Sequence, residues 1–151
     1  MTHGMTGRAV SAGLMALLSL RACRSGGVTA RKLENALAPT FANLIHVQRN
    51  VLALPIIEAS ALRATATCKR IGPGPDATGG GDWKCTVDWS PPGYRGILHD
   101  TYDLSVTMDG CYTATSDASE GHLGGPTLLR PGSAVPVTNM LYAFDGCFDP
   151  D

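Results

Sequence analysis

Five cysteines, Cys23, Cys68, Cys85, Cys111 and Cys147, carry most of the chemistry open to this sequence. None stands in the C-x-x-C spacing that redox and zinc motifs use. An odd count in an exported chain asks for a separate role for one member. Position singles out Cys23, which follows an apolar segment directly, while the other four lie in the body of the chain. The histidines His46, His99 and His122 are scattered without ligand-like spacing, so no metal is expected. Asp100, Asp103 and Asp109 do not follow a calcium-loop pattern. The glycines of 72–81 lack the Lys-Ser/Thr that completes a phosphate loop, and Gly-x-Ser-x-Gly is absent. His99 and Asp100 with a serine supply the residue types of a triad, but any chain of this size contains them. The expectation is a protein without catalytic residues or cofactor, hence not an enzyme.

The chain has 151 residues and a formal net charge of −1. Arg8 and Arg21 precede Cys23 and no acid does, so removing that segment leaves a slightly acidic remainder. There is no basic stripe of the kind that holds a phosphate backbone, and nucleic acid is not an expected partner. The 18 glycines and 10 prolines imply many turns and long surface loops.

Residues 1–22 read as a signal peptide. Arg8 and the amino terminus give a positive start, and Ala9 to Leu20 form an uncharged, mostly apolar run. Its length suits the core of an export signal, roughly 7–15 residues. It is short for a bilayer span, which takes about 20. The run ends in Leu20-Arg21-Ala22-Cys23. This resembles the lipobox of bacterial membrane lipoproteins, with Leu at −3, a small residue at −1 and Cys at +1. Arg21 at −2 departs from the small or uncharged residue usual there. The resemblance implies diacylglyceryl transfer to the Cys23 sulfur, cleavage after Ala22 and acylation, for example by palmitate, of the new amino terminus. Two or three chains on one cysteine would hold the protein firmly, since each buried CH₂ contributes about 0.8 kcal/mol and one chain holds only weakly. Residues 23–27 then form a lipidated tether, polar and glycine-bearing.

The remainder, 28–151, reads as one disulfide-stapled domain. Val28 to about Leu54 has a helical stripe of Leu33, Leu37, Phe41, Leu44, Ile45, Gln48 and Leu52. Thr29 is a fair N-cap, and Pro39 predicts a kink or two short helices meeting there. Ile56 to Arg63 is a further helical turn or a linker. The period then becomes two. Thr65–Ile71 and Trp83–Trp89 are strands separated by the 72–81 loop, and Trp83, Cys85, Val87 and Trp89 share one face. Trp83 and Trp89 read as core cover more readily than as a binding platform. Pairing these strands sets Cys68 opposite Cys85 and predicts a bridge. Tyr102–Met108 and Cys111–Thr115 read as a hairpin on a type I′ turn at Asp109-Gly110. Ser116 to Val137 is loop-rich, and Met140–Phe144 is a last strand. Asp145-Gly146-Cys147-Phe148 echoes Asp109-Gly110-Cys111-Tyr112, which suggests a second bridge, Cys111–Cys147. Four cysteines allow three pairings.

The fold class expected is α+β: an N-terminal amphipathic helix, kinked near Pro39, packed on a four- to five-stranded antiparallel sheet with two disulfides. The layout of lipobox, tether, helix and bridged sheet is similar to that of small uncharacterised lipoproteins of actinobacteria, a likeness that brings no function with it. The functional expectation is an exported, lipid-anchored cell-envelope protein on the outer face of the membrane, acting as a non-enzymatic binding or scaffolding module. The alternatives are an accessory component of an envelope transporter or sensor, with an envelope protein as partner, and a secreted hydrolase or protease inhibitor.

Overall fold

The computed structural model describes residues 27–74, 77–117 and 121–151. The expected signal peptide, Cys23 and all of the tether but Gly27 lie outside the described residues.

Helix α1 spans Ala30–Val51. Thr29 caps it, its hydroxyl accepting the Lys32 N–H at 3.2 Å. The helix begins at residue 30 rather than at the amino terminus, and it is one element of 22 residues with Pro39 inside, not two short helices. Pro39 has no N–H to donate, so the Asn35 carbonyl loses its i+4 partner; beside it the Thr40 hydroxyl donates to the Ala36 carbonyl at 2.8 Å. Leu33, Leu37, Phe41 and Ile45 are buried, and so is the polar Gln48. The Gln48 side-chain carbonyl accepts the Met140 N–H at 2.7 Å, tying the helix to a distant loop. Among the described residues no helix is long and apolar enough to cross a membrane.

Five strands form one antiparallel sheet against the helix: β1 Thr65–Arg70, β2 Gly81–Trp89, β3 Leu98–Val106, β4 Cys111–Ser116 and, further along the chain, β7 Ala143–Cys147, in the order β1-β2-β3-β4-β7. Alternation sorts their side chains. Trp83, Cys85, Val87, Tyr102, Leu104, Val106, Tyr112 and Ala114 are buried with the helix stripe. Thr67, Thr86 and Thr101 stand in register on the opposite, polar face. The Glu34 carboxylate of α1 accepts the outward Cys68 N–H at 2.9 Å, which blunts the β1 edge. A 3₁₀ turn, Ala59–Leu62, joins helix to sheet.

Both bridges join directly opposed residues of neighbouring strands. Cys68 and Cys85 lie with Cα atoms 4.1 Å apart and Cys111 and Cys147 with Cα atoms 4.0 Å apart. The first is buried with the core cluster; in the second, Cys147 is exposed.

Three local expectations are corrected. The β3–β4 connection is not a type I′ turn, because Asp109 does not have positive φ and Gly110 does, at 84°. The Gly110 N–H donates to the Thr107 carbonyl at 3.1 Å, and the Thr107 N–H to the Cys111 carbonyl at 2.8 Å. That is a three-residue loop, a β-turn followed by a left-handed glycine. The Thr107 hydroxyl and the Cys111 N–H both serve the Asp109 carboxylate, which holds its pKa below the usual value. The last strand is Ala143–Cys147, not Met140–Phe144, so Asp145-Gly146 is strand rather than turn. Gly146 pairs with Tyr112, and an added Cβ would lie 2.4 Å from the Tyr112 hydroxyl oxygen; the glycine makes room for the ring. Asn139 takes the preceding residues out of the sheet. Almost fully buried, its amide donates to the carbonyls of Leu123 and Gly125, both at 2.8 Å, while its oxygen accepts the Leu141 N–H. The segment expected to be loop contains a small antiparallel ribbon of β5 Thr127–Leu129 and β6 Pro136–Thr138.

Candidate functional site

Chain direction gives the domain two unlike ends. At one, the Gly79 N–H donates to the Val28 carbonyl at 2.8 Å and the Ala30 N–H to the Ala77 carbonyl at 2.9 Å. The amino-terminal segment therefore enters beside the β1–β2 loop. The 107–110 turn lies at the same end, and Lys32 there reaches the carbonyls of Pro150 and Asp151. At the opposite end lie the carboxyl end of α1, the β2–β3 loop and the segment between β4 and β7. There the Arg130 guanidinium donates to the Val51 carbonyl at 2.9 Å, satisfying a terminal acceptor of the helix.

That opposite end holds an open cleft of about 480 Å³, lined by Arg63, Asp88, Trp89, Ser90, Tyr94 and Ile97 among others. The size falls within the range of small-molecule sites, roughly 300–1,000 Å³. Its wall is the loop after β2. Pro91-Pro92-Gly93-Tyr94 closes with the Tyr94 N–H donating to the Pro91 carbonyl at 3.0 Å, and Gly93 has φ 83°. Proline at the second position and a left-handed glycine at the third make this a type II turn, which few other dipeptides permit. The Ser90 hydroxyl donates to the Gly96 carbonyl at 2.9 Å and the Ser90 N–H to the Leu62 carbonyl at 2.8 Å. The loop is thus fixed at its base while Tyr94 and Ile97 are left 51% and 60% exposed.

Behind the cleft stands the fully buried Asp100. One of its oxygens accepts the Trp89 indole N–H at 2.6 Å and the other the His122 backbone N–H at 2.7 Å. Phe41 meets the Trp89 ring edge to face at 5.7 Å. Two directions of restraint therefore hold Trp89. On the outer face His99 Nδ1 lies 2.7 Å from the Asp88 carboxylate. Arg63, which lines the same cleft, has no hydrogen bond or ion pair with any described residue, and its φ of 51° is left-handed. The cleft therefore carries a cation and a carboxylate that do not pair with each other.

The residues weighed from sequence fall in several places. Cys23 lies outside the described residues. His99 and Asp100 are neighbours in a strand and so point to opposite faces: His99 engages Asp88, and both Asp100 oxygens are occupied. His122 Nδ1 is 3.9 Å from Asp100 and 3.2 Å from the His99 carbonyl. His46 contacts the Ile57 carbonyl at 3.0 Å, far from these along the chain. Asp103 forms an exposed ion pair with Lys84 at 3.4 Å. Trp83 is fully buried, its indole N–H donating to the Gly79 carbonyl, while Trp89 serves both core and cleft. Arg63, Tyr94 and Ile97 were not singled out from sequence. The available signal, for Tyr94 and Ile97 alone, was a Pro-Pro-Gly turn followed by Tyr94-Arg95-Gly96-Ile97, in a loop where apolar side chains have no core to serve. Compared with family models, curated proteins and solved structures, the chain matches none.

Proposed function

We propose that this chain is an exported, lipid-anchored protein of the bacterial cell envelope, held to the outer face of the membrane through Cys23 and acting as a non-enzymatic binding module whose site is the cleft beside Tyr94. The observation that carries this reading is the polarity of the fold. The amino-terminal segment enters at one end and the cleft opens at the other, so an anchor at Cys23 leaves the cleft facing away from the membrane. From Cys23 to Val28 is five residues. Fully extended they reach at most about 18 Å, which keeps the entry end near the headgroups. Two disulfides agree with an oxidising compartment.

The test is the Cys23→Ala substitution in an exporting bacterial host, followed by fractionation and intact mass. The expected result is loss of the protein from the membrane fraction and loss of a mass equal to the acyl chains. Retention on the membrane by the variant overturns the anchor. A second reading, an accessory component of an envelope transporter or sensor, draws on the ribbon of β5 and β6, which sits at the same far end. Crosslinking in cells to one specific membrane protein supports it.

A further inference from the structure

We infer that the cleft beside Tyr94 takes a neutral saccharide, a short stretch of a glycan strand; this rests on the reading of that cleft as the binding site. Four observations converge. The first is an exposed aromatic ring on a rigid support. Tyr94 is half exposed, yet the type II turn that presents it and the Ser90 hydroxyl at its base fix the backbone. With the backbone already held, only the two side-chain torsions of the tyrosine remain to be ordered when a flat apolar surface lies on its ring. Ile97 extends that surface. The C–H face of a pyranose is such a surface, and its hydroxyls then point toward the polar rim.

The second is the composition of that rim. Arg63 offers guanidinium donors with no partner among the described residues, Asp88 offers carboxylate acceptors, and Thr65 offers a hydroxyl, all lining one cleft. Arg63 and Asp88 form no ion pair with each other. Asp88 instead meets His99. A polyol uses both at once, accepting from the guanidinium and donating to the carboxylate, and these bonds orient the sugar while the stacked face supplies the gain.

The third is the openness of the cleft, which selects against the competing ligand, a zwitterionic amino acid or peptide terminus. Both charged groups are solvated here, and exposed ion pairs contribute little, about 0–1 kcal/mol. A ligand that depends on ionic contacts gains little in such a place. A stacked ring keeps its gain, because apolar area leaves water wherever the faces meet. The fourth is placement. The cleft is open to solvent, which leaves room for more than one sugar unit, and it lies at the end of the fold opposite the amino-terminal entry.

The test uses the mature lipidated protein, purified from membranes in lauryldimethylamine oxide so that no sugar-headed detergent competes. It is titrated with oligomers of glucose and of N-acetylglucosamine from one to six units and, separately, with free amino acids. Calorimetry reports occupancy, and indole fluorescence is followed beside it, since Trp89 is a lining residue and Trp83 is not. Expected are saturable binding by one series, affinity rising with length and then levelling off, and at least tenfold weakening by Tyr94→Ala. Arg63→Gln weakens it about fivefold, and Met108→Ala, at the opposite end, leaves it unchanged. Tyr94 is solvent-facing, so its truncation leaves the fold intact, which circular dichroism verifies. No binding by either series up to 10 mM overturns the inference, as does binding that Tyr94→Ala does not weaken, or saturation by free amino acids instead. Each of these failures leaves the Cys23 fractionation result standing, so the ligand assignment and the anchor are judged separately.

Discussion

Asp100 shows how much of the cleft depends on one residue that never touches it. Its carboxylate accepts from the Trp89 indole and the His122 backbone, and no solvent reaches it. Asp100→Ala leaves the buried Trp89 indole N–H without an acceptor and frees the part-buried His122 N–H. An orphaned buried donor costs about 1–3 kcal/mol, so the expected loss is about 1–3 kcal/mol, read as a lower urea midpoint with unchanged slope. Asp100→Asn keeps one acceptor and loses about half as much. Tyr102 and Tyr112 set a second expectation at this scale. Burial, aided by the nearby Asp100 charge, pushes Tyr102 well above its ordinary pKa of 10.0. Burial also raises Tyr112, with the Thr40 hydroxyl opposing it. Both phenols stay protonated in the fold at a pH where the unfolded chain releases them. Their contribution is therefore intact below pH 10 and declines as pH climbs above it, for Tyr102 by about 1.4 kcal/mol per pH unit. Urea midpoints at pH 9 and pH 11 check this. Tyr102→Phe, which also loses a hydrogen bond to the Leu141 carbonyl at 3.0 Å, flattens the decline.

Among the elements, those defined by periodicity were legible in the sequence and those defined by a few specific bonds were not. The α1 stripe and the β2 alternation follow from burial on one face, which imposes a period wherever it acts. Cys68 and Cys85 fall opposite each other because the strands around them pair in that register. The limits of β7 were misplaced because its placement depends on the Asn139 side chain and on the space that Gly146 leaves for Tyr112. Neither contact has a periodic trace. The cleft was invisible for the same reason: Arg63 and Tyr94 lie 31 positions apart in loops, and only the fold brings them together. Pro39 offers a test of how far tertiary packing overrides local preference. Its side chain is exposed, and the core residues around it hold the helix through the break. Pro39→Ala restores a donor toward the Asn35 carbonyl. A proline inside a helix costs about 3 kcal/mol, offset by about 1 kcal/mol of rigidity it gives the unfolded chain. The expected gain is about 2 kcal/mol in a denaturant melt, and no gain would mean that packing had already absorbed the cost.

Across the whole molecule the two bridges play unequal parts. Each links adjacent strands, and both pairs were expected from sequence on different grounds, strand register for one and matched Asp-Gly-Cys corners for the other. The second ground was half wrong, since only Asp109-Gly110 is a turn, yet β4 and β7 still run side by side with Cys111 opposite Cys147. In the chain-entropy account a sequence separation of 17 corresponds to about 3 kcal/mol and one of 36 to about 4 kcal/mol. Access reverses this order when the reagent is a thiol. The Cys68–Cys85 bridge is buried with the core cluster that α1 covers, and Cys85 is fully enclosed. The Cys111–Cys147 bridge lies on the polar face of the sheet, with Cys147 exposed, and it fastens the short carboxyl-terminal strand. Exchange needs a thiolate to reach a sulfur, so exposure governs which bond opens first under native conditions. Brief treatment with dithiothreitol followed by alkylation and peptide mapping is expected to label Cys111 and Cys147 while Cys68 and Cys85 stay linked. Labelling of the inner pair is expected only near the urea concentration that unfolds the domain. Equal labelling of all four in native buffer would mean that the helix lifts from the sheet as readily as the terminal strand peels away, and the layered packing described above would not hold.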